Sequence, residues 1–391
     1  MFRMAVGHSD DIDLETALDQ VFAECEAGLD GAPPKAALLF AAWDLDHAKL
    51  LEAIHRRYPG IEVAGATTAG EMSSILGFSE DSVAIALFAS DSVDMTAGVG
   101  TDLWADPRGA TRKAVEQARS KTTRPPRLCI VMPTIVGREA NDVLAALREA
   151  LGPSVPVVGG GASPADPAQP ITEESARQIA GEMVADDAVA ILLFSGALDF
   201  SFGVETGWRG VGPRGVVTKT TDDGDVVEID GRPAVDFYAR YLGSGPPPIA
   251  NPLAVFETAE GDRFYLRTPV NYDRETGIVR FFGPVPLGAT VQITVAATDQ
   301  VFEGTKASIA DALAAFPAGR RPDAALIYSC ATRRYLLGTR VSHEIELVRE
   351  MLGSETPIAG MYCLGEIAPM AEPDRSRFHN ATLVSVLLGA T

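Results

Sequence analysis

The chain has 391 residues, of which 46% are hydrophobic and 22% are charged, and its formal net charge is −20. This length allows two or three domains, each with its own core, and the composition excludes an intrinsically disordered chain. The negative charge argues against nucleic-acid binding, because phosphates would be repelled over most of the surface.

We find no signal for secretion or membrane insertion. The N-terminal segment has no apolar core of secretory length, and the nearly apolar run that starts at Ala188 is too short to span a membrane. The four cysteines have no metal-ligand spacing and are predicted to be reduced thiols: Cys25, Cys129, Cys330 and Cys363. We therefore expect a cytoplasmic protein without a bound metal or cofactor.

One pattern of elements occurs three times along the chain. Its first copy predicts a strand at 36–41, a helix at 46–58, a strand at 61–64, a loop of small residues and a strand at 82–88. The second copy starts near residue 125 and the third near 321. In the first and third copies, "VAGATTAGEM" and "IAGMYCLGEI" align with both glycines and the acid in register.

Each strand–helix–strand unit predicts a parallel strand pair with a right-handed crossover, and the strand after the loop can be antiparallel. The predicted fold class is α/β, of the mixed α+β kind. Helices cover mixed sheets, and the C-terminal half carries a β-rich insertion. We predict a boundary near 207–212, where "WRGVGPRG" clusters turn residues. Residues 1–207 would hold two units, and 208–391 the β-rich segment 212–300 and the third unit 321–391.

The loops "GATTAGE" and "GMYCLGE" have the glycine spacing of a phosphate-binding loop. Glu71 stands where such a loop has its lysine, and a carboxylate there repels phosphate, so a nucleotide site is excluded. Loops at the carboxyl ends of strands are where open α/β sheets bind ligands. The alternative is that these glycines only turn the chain over close packing.

Two arginines follow the strand predicted at 324–328. A guanidinium at a strand end offers a bidentate site for a carboxylate, and we expect one of Arg333 and Arg334 to point inward. The alternatives are an ion pair with a structural acid such as Glu366, or a solvated side chain.

Two cysteines, Cys330 and Cys363, end adjacent predicted strands. A catalytic thiol needs a base, and neither His343 nor His379 has a spacing typical of a dyad, so buried inert cysteines are favoured.

At these residues the sequence resembles the FIST family (F-box and intracellular signal transduction proteins). "AGATTAGEM", "FSEDSVAIALF" and "VPVVGGGAS" resemble its N-terminal domain, and "YSCATRRYLLG", "GMYCLGEIAP" and "FHNATL" its C-terminal domain. The resemblance implies a sensory module that binds small ligands, amino acids among them, and that accompanies signalling output domains. No output domain follows in this sequence, so we expect the protein to act through an unknown signalling partner.

Our main hypothesis is therefore a non-enzymatic sensor with a pocket between the loops of the first and third units. Arg333 would bind the carboxylate of an amino acid or a similar ligand, and Glu71 or Glu366 its ammonium group. The other predicted ligand-binding residues are Gly65, Thr67, Thr68, Gly70, Gly360, Tyr362, Cys363, Gly365, Cys330 and Asn380. The alternatives are a cysteine-dependent hydrolase or transferase and a ligand-free protein-interaction scaffold.

Overall fold

The computed structural model describes residues 1–134, 139–164, 176–243, 245–370 and 376–390. The helices are α1 Leu14–Leu29, α2 His47–Arg57, α3 Pro107–Arg119, α4 Glu139–Leu151, α5 Ala234–Leu242, α6 Thr298–Ala315, α7 Ala331–Leu337 and α8 Ser342–Leu352. The strands are β1 Phe2–Ser9, β2 Ala36–Ala41, β3 Glu62–Thr67, β4 Glu71–Ser73, β5 Gly77–Ser79, β6 Val83–Ser90, β7 Val93–Thr101, β8 Pro126–Pro133, β9 Val157–Gly160, β10 Arg177–Ala180, β11 Met183–Asp186, β12 Ala188–Gly196, β13 Leu198–Glu205, β14 Arg209–Thr220, β15 Val226–Ile229, β16 Arg232–Pro233, β17 Leu253–Phe256, β18 Phe264–Arg267, β19 Pro269–Tyr272, β20 Val279–Phe281, β21 Thr290–Val295, β22 Ala324–Cys330, β23 Ile358–Cys363, β24 Glu366–Pro369, β25 Ser376–His379 and β26 Leu383–Ala390.

Three mixed six-stranded sheets form the body of the protein. Their strand orders are β1-β6-β2-β3-β10-β11, β7-β12-β8-β9-β24-β25 and β13-β26-β22-β23-β4-β5. The central pair of each sheet is parallel, and the following strand of the unit (β6, β12 or β26) is antiparallel to it. The predicted mixed α+β fold is thus confirmed.

The three sheets exchange their terminal hairpins in a closed cycle. The hairpin β4–β5 follows β3 in the chain but pairs with β23 of the third sheet. Hairpin β24–β25 pairs with β9 of the second sheet, and β10–β11 pairs with β3 of the first. Each sheet is therefore completed by residues from another part of the chain, which ties the three sheets together.

Strand β2 has apolar side chains on both faces, as expected for a strand buried on both sides. Leu38 and Phe40 point into a core that all three sheets share, whereas Leu39 and Ala41 pack with residues of α1 and α2. In the shared core the ring of Phe40 contacts that of Tyr328 edge-on, with centroids 6.3 Å apart. The centre of the molecule is therefore filled with side chains.

The β-rich segment forms an eight-stranded sheet from β14 to β21, with α5 packed on it. Helix α5 begins after Pro233, which is its N-cap. A turn at 274–277 joins β19 to β20, which pair antiparallel. Trp208, Phe256 and Leu266 pack against Phe302 and Leu347, so a separate apolar cluster attaches this segment to the third unit.

The first unit shows why the sequence located its elements well. Asp46 is the N-cap of α2, and its side chain accepts a hydrogen bond from the amide of Lys49. Strand β3 runs to Thr67, three residues beyond the predicted end, because its parallel register with β2 continues through Gly65. Among the described residues, no helix is both long and apolar enough to cross a membrane.

Candidate functional site

The two Gly-Glu loops contact other strands through their backbones. The amide of Ala69 donates to the carbonyl of Tyr362 at 2.8 Å, and the amide of Tyr362 donates to the carbonyl of Gly70 at 2.8 Å. The ring of Phe78 also meets that of Tyr362 edge-on, with centroids 5.5 Å apart. The first loop therefore lies directly on the third sheet, in the region where we predicted a pocket.

The glycines of these loops are required by close packing. A Cβ at Gly65 would lie 2.3 Å from the carbonyl oxygen of Leu39, and one at Gly360 equally close to that of Ile327. Gly70 has a φ of 119°, and a Cβ there would lie 2.6 Å from the ring of Phe78. These contacts support the alternative that the glycines let the chain turn over close packing.

Glu71 is fully buried at the start of β4 and is held by hydroxyl groups. The hydroxyl of Thr68 donates to one carboxyl oxygen, and that of Ser82 donates to the other at 2.5 Å. Burial nevertheless raises the pKa of Glu71 to about 7. Much of the population at neutral pH therefore carries a proton here, and the carboxyl group is already engaged within the protein.

His8 extends this network, and sequence analysis missed it. Its Nε2 lies 2.9 Å from the hydroxyl oxygen of Ser82, and its Nδ1 lies 2.8 Å from that of Ser73. Burial lowers the pKa of His8 to about 4, so the ring is neutral at pH 7. Its polarity directly after the apolar stretch Met4–Gly7 of β1 was the only signal in the sequence.

Glu366 is buried at the start of β24 with similar partners. One oxygen accepts from the hydroxyl of Thr382 at 2.7 Å and from its amide at 3.2 Å, and the other lies 3.3 Å from Sγ of Cys363. Burial raises the pKa of Glu366 to about 8, so the group is largely protonated at neutral pH. Neither glutamate presents a free carboxylate to an ammonium group.

Arg333 is fully buried in an ion pair with Glu344, another residue that sequence analysis did not single out. Its Nη2 lies 2.7 Å from Oε1 of Glu344, and its Nη1 donates to the carbonyl of Thr206 at 2.6 Å. Burial opposes ionisation of Glu344, but Arg333 and the hydroxyls of Ser329 and Tyr362 hold its pKa below the usual value. A ligand carboxylate at Arg333 would have to displace Glu344, so that role stays a prediction.

Arg334 is the more exposed of the two arginines. It donates to the carbonyl of Ala69 and pairs with Glu80 at 2.6 Å. Arg334 thus fixes the first Gly-Glu loop against α7. Glu366, which the alternative named as the acidic partner, binds neither arginine.

The two cysteines at the ends of β22 and β23 are neighbours in register. Burial raises the pKa of Cys330 to about 12 and that of Cys363 well above its usual value, with the nearby Glu366 adding to both shifts. Within the described residues no imidazole bonds to either sulfur: His379 contacts the carbonyl of Ala368, and His343 contacts Glu346. This arrangement does not activate a thiol.

Buried polar side chains collect where the β-rich segment meets the carboxyl ends of β22 and β23. We call this group the polar junction; it comprises Arg267, Thr268, Thr332, His379 and Asn380, each no more than 8% exposed. Asn380 braces it: its Oδ1 accepts from the amide of Thr268 at 3.0 Å, and its Nδ2 donates to the carbonyl of His379 at 2.7 Å. Of the predicted site residues, Asn380 lies in the junction, and Cys330 lies two residues before Thr332.

The junction also contains residues that the sequence did not reveal. The hydroxyl oxygens of Thr268 and Thr332 lie 3.5 Å apart, and Nη1 of Arg267 donates to the carbonyl of Phe378 at 3.1 Å. An arginine between Leu266 and Thr268 in a strand was a possible signal, but only the structure shows that it is buried. In the part of the chain described, no three His, Cys, Asp or Glu side chains converge as metal ligands would.

Comparison with known proteins places the chain in a family. Residues 35–232 match the FIST N domain, and residues 234–369 match the FIST C domain. No curated protein matches the chain. One similar solved structure is the crystal structure of cyanuric acid hydrolase from A. caulinodans, at 10% identity and a TM-score of 0.38 over 100% of this chain and 99% of that chain. A TM-score that low carries no argument about function. The two domain matches together span most of the sequence, and the protein belongs to the FIST family.

Proposed function

We propose that this protein is a cytoplasmic sensory protein of signal transduction that binds a small molecule, an amino acid or a similar small carboxylate. We place the ligand at the polar junction, and the observation that carries this placement is the set of buried polar side chains there. Buried polar groups are costly unless they have partners, and groups whose pKa burial shifts, as it does for Arg267 and His379, cluster at functional sites. Membership of the FIST family supports the sensory role.

The position of the junction in the fold supports a ligand site. It lies at the carboxyl ends of the parallel strands β22 and β23, where α/β sheets bind their ligands. The hydroxyls of Thr268 and Thr332 are at the outer limit of a hydrogen bond to each other, so both can serve a ligand. The ligand-binding roles predicted for Glu71, Glu366 and the glycine loops stay predictions.

The proposed organisation of the chain is consistent with this function. We propose two domains that meet at 207–212, and an internal repeat of three units. The corresponding strand orders of the three sheets support the repeat. The junction lies between the third unit and the β-rich segment. A ligand bound there would change the surface of the β-rich segment, and a partner protein would bind that surface.

The two alternative functions find less support. The raised pKa of Cys330 and the missing imidazole among its described neighbours oppose a cysteine nucleophile. The direct contact between Gly70 and Tyr362 is what a ligand-free scaffold predicts for those loops. This contact says nothing about the polar junction, because the side chains there come from other segments of the chain.

A thermal-shift screen tests the proposal. Amino acids, small organic acids and neutral metabolites are each added to the purified protein, and a ligand at a hundredfold its Kd should add about 2.7 kcal/mol to the free energy of unfolding. Thr332→Val should reduce the shift. Thr356→Val is the matched control. Thr356 lies two residues before the start of β23, at the other end of that strand from the junction, and its hydroxyl donates to the carbonyl of Leu352. A screen without any shift, or one in which Thr332→Val keeps the full shift, contradicts the proposal.

A further inference from the structure

Arg267 is a buried guanidinium without an acidic partner in the described residues. It is 5% exposed at the end of β18, and its hydrogen bonds go to main-chain carbonyls: from Nε to Pro284 at 3.2 Å, and from Nη1 to Leu266 and Phe378 at 2.9 and 3.1 Å. In the part of the chain that the structure describes, Nη2 of Arg267 has no hydrogen-bond acceptor. Arg333, the other arginine buried to this degree, has Glu344 as its counter-ion.

The surroundings of Arg267 hold it in a fixed orientation. The central carbon of its guanidinium lies 4.5 Å from the ring centroid of Tyr265 and 5.8 Å from that of Phe378. A guanidinium that contacts aromatic rings keeps its N–H groups for hydrogen bonding. Because carbonyls already occupy Nε and Nη1, Nη2 is the group left for a carboxylate oxygen.

Among the residues that the structure describes, no negative charge near Arg267 compensates for it. Arg377 also approaches Tyr265, at 5.5 Å, and is paired with Glu257 at 3.0 Å. His379 is neutral, because burial lowers its pKa to about 4. Burial also lowers the pKa of Arg267, to about 10, which still leaves the guanidinium charged at neutral pH. Counting the described residues alone, two guanidinium charges and the single carboxylate of Glu257 leave one positive charge unmatched.

We propose that Arg267 is the anchor for a singly charged anionic group of the ligand, a carboxylate, at the polar junction. This rests on the proposed function and deepens it by naming the residue and the charge that select the ligand. A buried charge without a counter-ion is unfavourable, and a bound carboxylate supplies that counter-ion. The hydroxyls of Thr268 and Thr332 stand beside the site for the uncharged part of the ligand.

The first experiment uses the wild-type protein alone. Acetate and propionate are compared with acetamide and propionamide, which have nearly the same shape without the charge, and sodium chloride equalises the ionic strength. The carboxylates should raise Tm in a saturable manner and the amides should not. Inorganic phosphate, which carries more charge at neutral pH, should produce a smaller shift than propionate.

Variants then test the residue. Arg267→Met should weaken carboxylate binding by about tenfold to a hundredfold, the range expected for a lost charge-assisted hydrogen bond. Arg267→Lys keeps the positive charge but loses the planar guanidinium, so its affinity for carboxylates should lie between those of the wild type and Arg267→Met. Arg214→Met is the matched control: Arg214 also stacks on an aromatic ring in the β-rich segment, that of Phe256, but it is paired with Asp262. That variant should respond as the wild type does.

The possible results separate this inference from the proposed function. If neutral metabolites raise Tm and carboxylates do not, small-molecule binding and the sensory role stand, but the carboxylate ligand and the anion site are wrong. The site is also wrong if Arg267→Met keeps the full response to carboxylates, or if acetate and acetamide act alike. If no probe of either kind changes Tm, both proposals fail.

Discussion

Glu71 and Glu366 occupy corresponding positions in two sheets and are held in the same way. Each carboxyl group contacts the side chain three residues before it, Thr68 or Cys363. Each also accepts from the residue that precedes the closing strand of its unit, Ser82 or Thr382. Each glutamate therefore ties an exchanged hairpin to the unit from which that hairpin departs.

The second unit has Gln178 at this position. Gln178 pairs with Ala66 of β3 next to the Gly65–Ile179 pair, as Glu71 pairs with Met361 next to the Gly360–Met72 pair. Its Oε1 accepts from the hydroxyl of Thr134 at 2.8 Å and from the amide of Ala188 at 3.2 Å. In the second unit a neutral amide therefore makes the hydrogen bonds that a glutamate makes in the other two. This agrees with the raised pKa values of Glu71 and Glu366, since a raised pKa favours the neutral form of the carboxyl group.

We expect Glu71→Gln to make stability less dependent on pH. The pKa of Glu71 is raised from 4.5 to about 7, so folding favours the protonated form. The stabilisation is fully present below pH 4.5 and is lost as pH rises to about 7. Relative to the wild type, Glu71→Gln should therefore gain stability across this window, by up to about 3 kcal/mol.

Urea unfolding at several pH values measures this difference. For Glu366→Gln the window should extend to about pH 8, because the pKa of Glu366 is higher. Glu52→Gln, on the exposed surface of α2, is the control and should follow the wild type. Parallel pH profiles for Glu71→Gln and the wild type would show that Glu71 is not protonated in the folded protein.

We expect Arg333→Met to destabilise the protein by about 3–5 kcal/mol, because it leaves the carboxylate of Glu344 buried without its partner. The double variant Arg333→Met/Glu344→Leu should recover much of this loss, since it removes both charges. Chemical unfolding of the two single variants and the double variant measures the coupling. If Arg333→Met alone is neutral, the guanidinium is not structural and the predicted ligand role for Arg333 regains support.

The sequence was informative wherever local pattern decides the structure. Strand β2 matches its predicted bounds because its residues are apolar on both faces, and Asp46 marks the start of α2. The pairing of β4 with β23 could not be predicted in this way. The three residues Glu71–Ser73 contain nothing that distinguishes a partner nearly three hundred residues away from the adjacent β3.

The candidate site was harder to predict, because burial and charge pairing are properties of the whole fold. Arg333 does point inward, but its partner is Glu344 on α8 and not Glu366. Glu344 lies on the buried side of α8 with Ile345 and Val348. Arg267 was missed because its strand has an ordinary β pattern, and the absence of an acidic partner among the described residues becomes visible only in three dimensions.

We expect Gly65→Ala and Gly360→Ala to destabilise the protein by at least about 1–3 kcal/mol each. Their Cβ atoms would overlap the carbonyls of Leu39 and Ile327, and backbone atoms cannot move aside as a flexible side chain can. Gly245→Ala is the control, because its Cβ would meet no atom within 4 Å. If the two variants are as stable as this control, the close approach of the parallel strands is not what these glycines provide.

The cysteines give the last prediction, which separates a buried thiol from a reactive one. Burial raises the pKa of Cys330 to about 12, so its thiolate is scarce at neutral pH. Iodoacetamide should therefore label Cys330 and Cys363 in native protein far more slowly than in urea-unfolded protein, as followed by peptide mass spectrometry. Cys25 and Cys129, buried in the helix-side cores, provide internal controls. Labelling of Cys330 that is much faster than that of Cys129 in native protein would contradict the inert state and would revive the nucleophile hypothesis.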